Sequence, residues 1–192
     1  MEDIWEKIDR YILLSAESKA ALESILKKKT YKKHDFFLTE GQVPRAVAFV
    51  AKGLFSQYHT SENGDVIIKR FFPEGYFLAS MSAMLKKAPG MFTIQALEPS
   101  TILEYDFYKF KELTETHADI AAFYIKYMEV HWIIEKEPLE ISFRYDSARS
   151  RYLDFLKNYP ALEPRLKQHH IASYLGITPT QLSRIRSDPQ HM

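Results

Sequence analysis

The apolar positions of the chain change period twice. Residues 4–14 and 16–28 repeat at helical spacing, and Ser15 stands where it would cap the second helix, with Ala21, Leu22, Ile25 and Leu26 on its inner stripe. From residue 30 to 107 the pattern becomes short alternating or fully apolar runs separated by turn residues: "DFFLTEGQ", "AVAFVAKGLFSQYH", "SENGDVIIKRFF", "MFTIQALEP" and "STILEYDFY". Asn63-Gly64 between two of these runs predicts a two-residue hairpin of type I′. Many short strands at close spacing predict an antiparallel roll or barrel.

Helical period returns in "THADIAAFYIKYMEVHWIIEKEPLEISFRY". Ile120, Tyr124, Tyr127, His131, Ile134, Pro138, Ile141 and Tyr145 recur at alternating spacings of four and three, a narrow seam suited to a partner helix. A second copy of the chain is the simplest partner, with Ile120, Tyr124, Tyr127, His131 and Ile134 as its contacts; the alternative is that the helix packs on its own β domain. Pro138 removes a backbone hydrogen bond and crowds the preceding turn, so a kink or end is expected near Glu137. A further helix over 147–158 turns Tyr152, Leu153, Phe155 and Leu156 inward and Arg149, Arg151 and Lys157 outward. "NYPALEP" ends it.

The last stretch, "HHIASYLGITPTQLSRIRS", holds two short helices around one glycine. Ile171 and Leu175 are inward on the first, and Ala172 leaves room for a close crossing. Gly176 suits the left-handed turn that ends a helix. Thr178 then supplies an N-cap, Pro179 the first helical position, and Gln181 completes a capping box, while Leu182 and Ile185 pack back on the first helix. That is a helix-turn-helix, and Thr178, Thr180, Gln181, Ser183 and Arg184 are its outward residues. Arg184 suits guanine O6 and N7, Gln181 suits adenine, and Thr180 and Ser183 suit phosphate or a base edge. Lys167 and His169, at the start of the first helix, are candidate phosphate contacts, with plain solvent exposure the competing reading for His169. Two such units about 34 Å apart would enter successive major grooves of double-stranded DNA carrying a two-fold symmetric operator.

Charge supports that placement. The 192 residues carry a net charge of +1, yet residues 144–192 hold 8 Lys/Arg against 4 Asp/Glu while residues 1–143 hold 18 against 21. There is no cysteine, which excludes disulfides, thiolate metal sites and thiol catalysis, and indicates a reducing, cytoplasmic setting. No apolar run reaches membrane-spanning length, and the acidic start "MEDIWEKIDR" lacks the form of a signal peptide, so no membrane partner is expected.

The order of these parts resembles the Crp/Fnr family of bacterial transcription regulators. The likeness is carried by "IASYLGITPTQLSRI", with Ala172, Gly176, Ser183, Arg184 and Ile185 at family positions, and by the turn glycines Gly41, Gly53 and Gly75. It implies an α+β fold: an N-terminal antiparallel, jelly-roll-like β-roll as effector or sensor domain (1–115), a long dimerisation helix and hinge (116–145), and a C-terminal helix-turn-helix DNA-binding domain (146–192). It also implies a homodimeric regulator with an effector in the roll, and RNA polymerase as a further partner. The family's recognition-helix arginine corresponds to Arg184, whereas its glutamate position holds Thr180.

Relatives that bind cyclic AMP carry Gly-Glu-Leu and then Arg-Ser in the roll. Here Ala79, Ser80 and Met81 replace the first group, and Gly90 and Met91 the second, so a buried cyclic phosphate would lack its arginine. Cyclic AMP is not the expected effector. Phe77, Leu78, Ala79, Ser80, Met81, Met84, Gly90, Met91 and Phe92 form the candidate effector pocket, for an unidentified apolar ligand or filled by its own side chains. Lys86 and Lys87 are read as a solvated loop. No cofactor is assigned.

The histidines do not make a metal site: His169 and His170 are adjacent and diverge on a helix, and His34 and His59 lack the His-x-His pattern of a metal-binding roll. No nucleophile–base pair, paired acids or phosphate-cradling loop supports an enzyme. A ligand- or protein-binding β-roll without DNA binding, or a small β-barrel enzyme, are the competing readings.

Overall fold

The computed structural model describes residues 3–188. Two short helices, α1 (Ile4–Asp9) and α2 (Ala16–Ile25), lead into eight strands: β1 (Lys27–Tyr31), β2 (Phe36–Leu38), β3 (Ala46–Lys52), β4 (Phe55–Thr60), β5 (Val66–Phe72), β6 (Phe77–Leu78), β7 (Thr93–Ala96) and β8 (Ser100–Asp106). Helix α3 (Met81–Lys86) lies between β6 and β7. The strands form two antiparallel four-stranded sheets, ordered β1-β8-β3-β6 and β2-β7-β4-β5. This is the β-roll, in an α+β chain.

Strand β3 shows why the layers stack as they do. Its period of two sends Ala48 and Val50 between the sheets, where they meet Leu38, Phe55, Leu78, Ile94 and Ile102. Val47, Phe49 and Ala51 face the other way, under α1, α2 and the helices that follow β8. A strand covered on both faces reads as a continuous apolar run. "AVAFVAK" is such a run.

Two local expectations are corrected by tertiary contacts. Helix α1 stops at Asp9 because Tyr11 turns inward, edge-on to Phe123 and Tyr127, leaving Leu13 exposed. Helix α2 stops at Ile25, since Lys27 to Tyr31 pair with β8 in register Lys27↔Glu104 to Tyr31↔Ser100. The β4–β5 hairpin is also not a two-residue type I′ turn. Ser61 and Asp65 close the ladder (Asp65 C=O accepts from the Ser61 N–H at 2.9 Å), the Gly64 N–H reaches the Ser61 carbonyl, and Gly64 alone is left-handed at φ 85°. That is a type I turn ending in a glycine bulge.

After α4 (Phe107–Thr116) comes a long helical run: α5 (Ala118–Glu129), a π-helical segment (Val130–Ile134) and α6 (Lys136–Tyr145). The irregularity lies one turn before the site expected near Glu137. Pro138 crowds the carbonyl four residues back, and the chain relieves this by widening at Val130–Ile134, where the Glu135 N–H bonds the Val130 carbonyl. Helices α7 (Ala148–Asn158), α8 (Gln168–Leu175) and α9 (Pro179–Ser187) complete the chain, with a 3-10 turn at Glu163–Arg165.

These C-terminal helices do not stand apart from the roll. Leu54, Ile68, Phe71 and Leu97 of the roll share a core with Tyr152, Phe155, Leu162, Leu166 and Ile171. Ser173 Oγ accepts the Ile68 N–H at 2.9 Å and donates to the Val66 carbonyl, joining α8 to the edge strand β5. Arg165 bridges Glu74 and Glu98 of the roll.

Candidate nucleic-acid interface

The helix-turn-helix is assembled almost wholly from short-range interactions. Gly176 takes φ 68°, and the Gly176 and Ile177 N–H groups close α8 on the carbonyls of Ser173 and Ala172. Thr178 Oγ1 accepts the Gln181 N–H at 3.1 Å, and Gln181 Oε1 accepts the Thr178 N–H at 2.8 Å, so the capping box is complete. Ile171, Ala172, Leu175 and Leu182 are buried where the two helices cross. Gln168 Nε2 donates to the Pro179 carbonyl at 2.7 Å, tying the start of α8 to the start of α9.

This arrangement leaves Thr178 exposed at the N-cap and Thr180, Gln181, Ser183 and Arg184 exposed on α9, and Lys167 and His169 exposed where α8 begins. Arg149, Arg151 and Arg186 of the C-terminal unit are instead engaged in holding it together. Arg151, expected to point outward, lies against the Phe143 ring and donates through Nε and Nη2 to the Leu175 carbonyl (3.2 and 3.0 Å) and through Nη1 to that of Asp146 (2.6 Å). It thereby satisfies the open C-terminal carbonyls next to the turn. Arg186 bonds Tyr152 Oη and Glu163. Leu153, expected inside, is 45% exposed. None of these roles has a local sequence signature, because each partner lies five or more residues away.

The candidate effector pocket is redrawn by the structure. A cavity of about 40 Å³ lies between the roll and the α4–α5 helices, and only Phe77, Ala79 and Met81 of the expected nine residues line it. Leu78 points between the sheets, Met84 and Ser80 are buried in packing, and Gly90 sits close against Ala83 and Ser80. Met91 is exposed, and Phe92 lies under the Lys69 ammonium at 4.5 Å. The remaining wall comes from residues distant in sequence, among them Phe110, Phe123, Tyr127, Met128 and Trp132. Tyr127 Oη accepts the Phe77 N–H at 3.2 Å, and burial pushes its phenol well above the ordinary value. Among the described residues, the wall carries no carboxylate, ammonium, guanidinium or imidazole. Lys86 and Lys87 are exposed, and the Lys87 ammonium lies over the Tyr108 ring.

The expected dimer seam is also corrected. Ile120, Tyr127 and His131 are buried within the chain itself, and Tyr124 packs on the same core, because that face of α5 covers the outer face of β3 and β6. Of the five residues only Ile134 is largely exposed, at 64%. His131 is held by Tyr11 Oη at 2.6 Å and by Glu135 at 2.7 Å, and Arg70 pairs with Glu135 at 3.3 Å. The uncovered side of the helical run carries Ile125, Ile133, Leu139, Ile141 and Phe143.

A two-sheet roll, a long connecting helix and a terminal helix-turn-helix thus follow one another along the chain. Residues 28–117 match the cyclic nucleotide-binding domain family, and the fold of the whole chain is that of Crp/Fnr-type regulators. Among solved structures, FixK2 from Bradyrhizobium japonicum superposes with TM-score 0.70 at 16% identity, covering 85% of this chain and 83% of that one. A CooA variant from Carboxydothermus hydrogenoformans gives TM-score 0.69 at 20% identity over 98% and 84% of the two chains. The c-di-GMP responsive global regulator CLP of Xanthomonas campestris gives TM-score 0.68 at 13% identity over 92% of each. No curated protein sequence matches the chain. Among the described residues, no helix is long and apolar enough to cross a membrane.

Proposed function

We propose that this protein is a homodimeric, sequence-specific DNA-binding transcription regulator of the Crp/Fnr type, acting in the cytoplasm. The observation that carries the reading is the row Thr178, Thr180, Gln181, Ser183 and Arg184, exposed along a helix and its N-cap that a complete capping box and a buried crossing hold in place. Arg184 and Gln181 read base edges, Thr178, Thr180 and Ser183 contact phosphate or base edges, and Lys167 and His169 hold the backbone. The partner copy packs on the uncovered side of α5 and α6, through Ile133, Ile134 and Ile141.

The roll takes an uncharged effector. The cavity between the roll and α5 has room for roughly two or three water-sized groups, far less than a nucleotide, and an anion there would be desolvated without a cation to meet it. Part of its wall, Met128 and Trp132, borders or lies within the π-helical segment, so filling the cavity bears directly on the junction at Pro138 and residues 144–147. RNA polymerase is the partner through which such a regulator acts.

Selecting bound sequences from a random duplex library tests this reading. The expected result is an inverted repeat with half-sites about one or two helical turns apart. Arg184→Ala should relax the preference at one base pair per half-site and cost about 1–3 kcal/mol. No enrichment over input would sink the DNA-binding reading and leave a roll that binds only ligand or protein.

A further inference from the structure

The sequence around β1 is strongly basic. "KKKTYKKH" places five lysines and a histidine within residues 27–34, and of these only Lys29 forms an ion pair among the described residues, with Glu104 at 2.7 Å. Lysines along the edge strand β1 have an ordinary use in discouraging edge-to-edge pairing. The turn after it, Lys32 to Asp35, calls for a separate account.

That turn is built rather than loose. His34 adopts φ 75°, uncommon for a residue with a side chain. Its N–H bonds the Ala96 carbonyl at 2.8 Å, and its carbonyl accepts from Gln95 Nε2 at 3.0 Å. The residue after Ala96 is Leu97, which lies in the core shared with Leu166 and Ile171 of the C-terminal unit. Glu98, two residues past Ala96, bonds Arg165, two residues before Lys167, at 2.5 Å, so the turn sits on the side of the roll that is joined to the segment leading into α8. The rings of His169 and His170 lie 4.3 Å apart, and His170 Nδ1 is buried with no hydrogen-bond partner among the described residues. Burial, followed by the fields of His169, Lys167, Lys33 and His34, pushes the His170 imidazole down to about 4. Cationic and imidazole groups from two parts of the chain thus lie near one junction, and the carboxylate of the turn, Asp35, accepts the Lys32 N–H at 2.7 Å.

We infer that the turn Lys32–Lys33–His34 of the β-roll is a second DNA contact, which grips the phosphate backbone alongside the phosphates held by Lys167 and His169. This rests on the DNA-binding reading given above. Duplex DNA is the favoured occupant because the turn lies on the side of the roll that Arg165 and Leu166 join to the exposed start of α8, where a helix-turn-helix meets the backbone. A polyanion with evenly spaced charges also suits a row of lysines backed by histidines. The roll would then add affinity but no sequence preference, and the operator footprint would depend on how the roll and the C-terminal unit are docked.

The test uses the full-length protein, a duplex from the random-library selection and a random duplex, with affinity measured between ~50 and ~200 mM salt. In Lys32→Ala/Lys33→Ala the slope of log K against log salt should shrink by about 0.9 for each phosphate no longer neutralised, equally on both duplexes, with base preference unchanged. Lys32→Arg/Lys33→Arg should restore the slope. Lys86→Ala/Lys87→Ala makes the same charge change on α3 and the residue after it, and should leave the slope as in the unaltered protein. An unchanged slope in the first variant, or an equal decrease in the control, would overturn the inference while DNA binding itself stands. Failure of the unaltered protein to bind any duplex would instead overturn the reading beneath it. Circular dichroism on each variant separates a weakened grip on phosphate from a failure to fold.

Discussion

Replacing Arg165 by alanine should loosen the C-terminal unit from the roll without dissolving either. Its guanidinium meets Glu98 Oε1 at 2.5 Å, Glu74 Oε2 at 2.9 Å, Glu74 Oε1 at 3.1 Å and Glu98 Oε2 at 3.4 Å. Burial alone would push the Glu74 carboxyl upward. The bonds from Arg165 and from the Gly53 N–H hold it below its usual value. Side-chain exposures of 25% for Arg165 and 31% for each glutamate place the cluster between a surface ion pair, worth about 0–1 kcal/mol, and a buried one whose breakage costs about 3–5 kcal/mol. About 2 kcal/mol is therefore expected, most of it from two half-buried carboxylates left facing each other. For a chain of this size that lowers Tm by about 4–8 °C. Urea unfolding should stay cooperative, because the shared apolar core remains. Hydrogen exchange supplies the local readout: the Ile68 amide, which donates to Ser173 of α8, should exchange faster than amides inside the roll. Adding Glu98→Gln to the alanine variant should recover part of the loss by removing one of the like charges. A Tm within about 1 °C of the unaltered protein, or a double variant less stable than the single one, would refute this account of the cluster.

Ile133→Asp with Ile141→Asp should yield a folded monomer by light scattering, whereas Ile120→Asp should unfold the chain, since Ile120 is fully buried and an unpaired carboxylate there costs several kcal/mol. Lys167→Ala should weaken binding to all duplexes alike in a mobility-shift titration and shrink the salt slope by about 1. His170 stays neutral in the fold down to about pH 4, while in the unfolded chain it takes up a proton near its ordinary value of 6.5. The unfolded state thus binds the extra proton between pH 6.5 and 4, so stability should fall as pH drops through that window. For a half-exposed ring the loss is on the order of 1 kcal/mol after solvent screening. His170→Gln should flatten that part of a urea-midpoint profile against pH.

The parts legible in the sequence are those whose partners lie within one or two turns. Thr178 and Gln181 cap each other three residues apart, Gly176 supplies its own left-handed turn, and the unbroken apolar run in "AVAFVAK" announces a strand covered on both sides. The seam from Ile120 to Ile134 is readable as a seam, but its neighbour is not. Periodicity states that one face of a helix is apolar, and it is silent on whether that face meets its own roll or a second copy. The effector pocket escapes the sequence for a related reason, since half its wall arrives from α4 and α5, well beyond Phe92 in the chain.

Residue order alone is sufficient for the β-roll, the connecting helix and the helix-turn-helix, because backbone capping, turn glycines and two-fold or 3.6-fold alternation act over a few bonds. Three-dimensional packing alone decides that α5 spends its aromatic face on the roll, that Arg151 and Arg165 clamp instead of pointing to solvent, and that the turn at Lys32–Asp35 is pinned to Ala96. Those outcomes depend on which surfaces lose water together, and distant segments of chain meet only when the whole core closes.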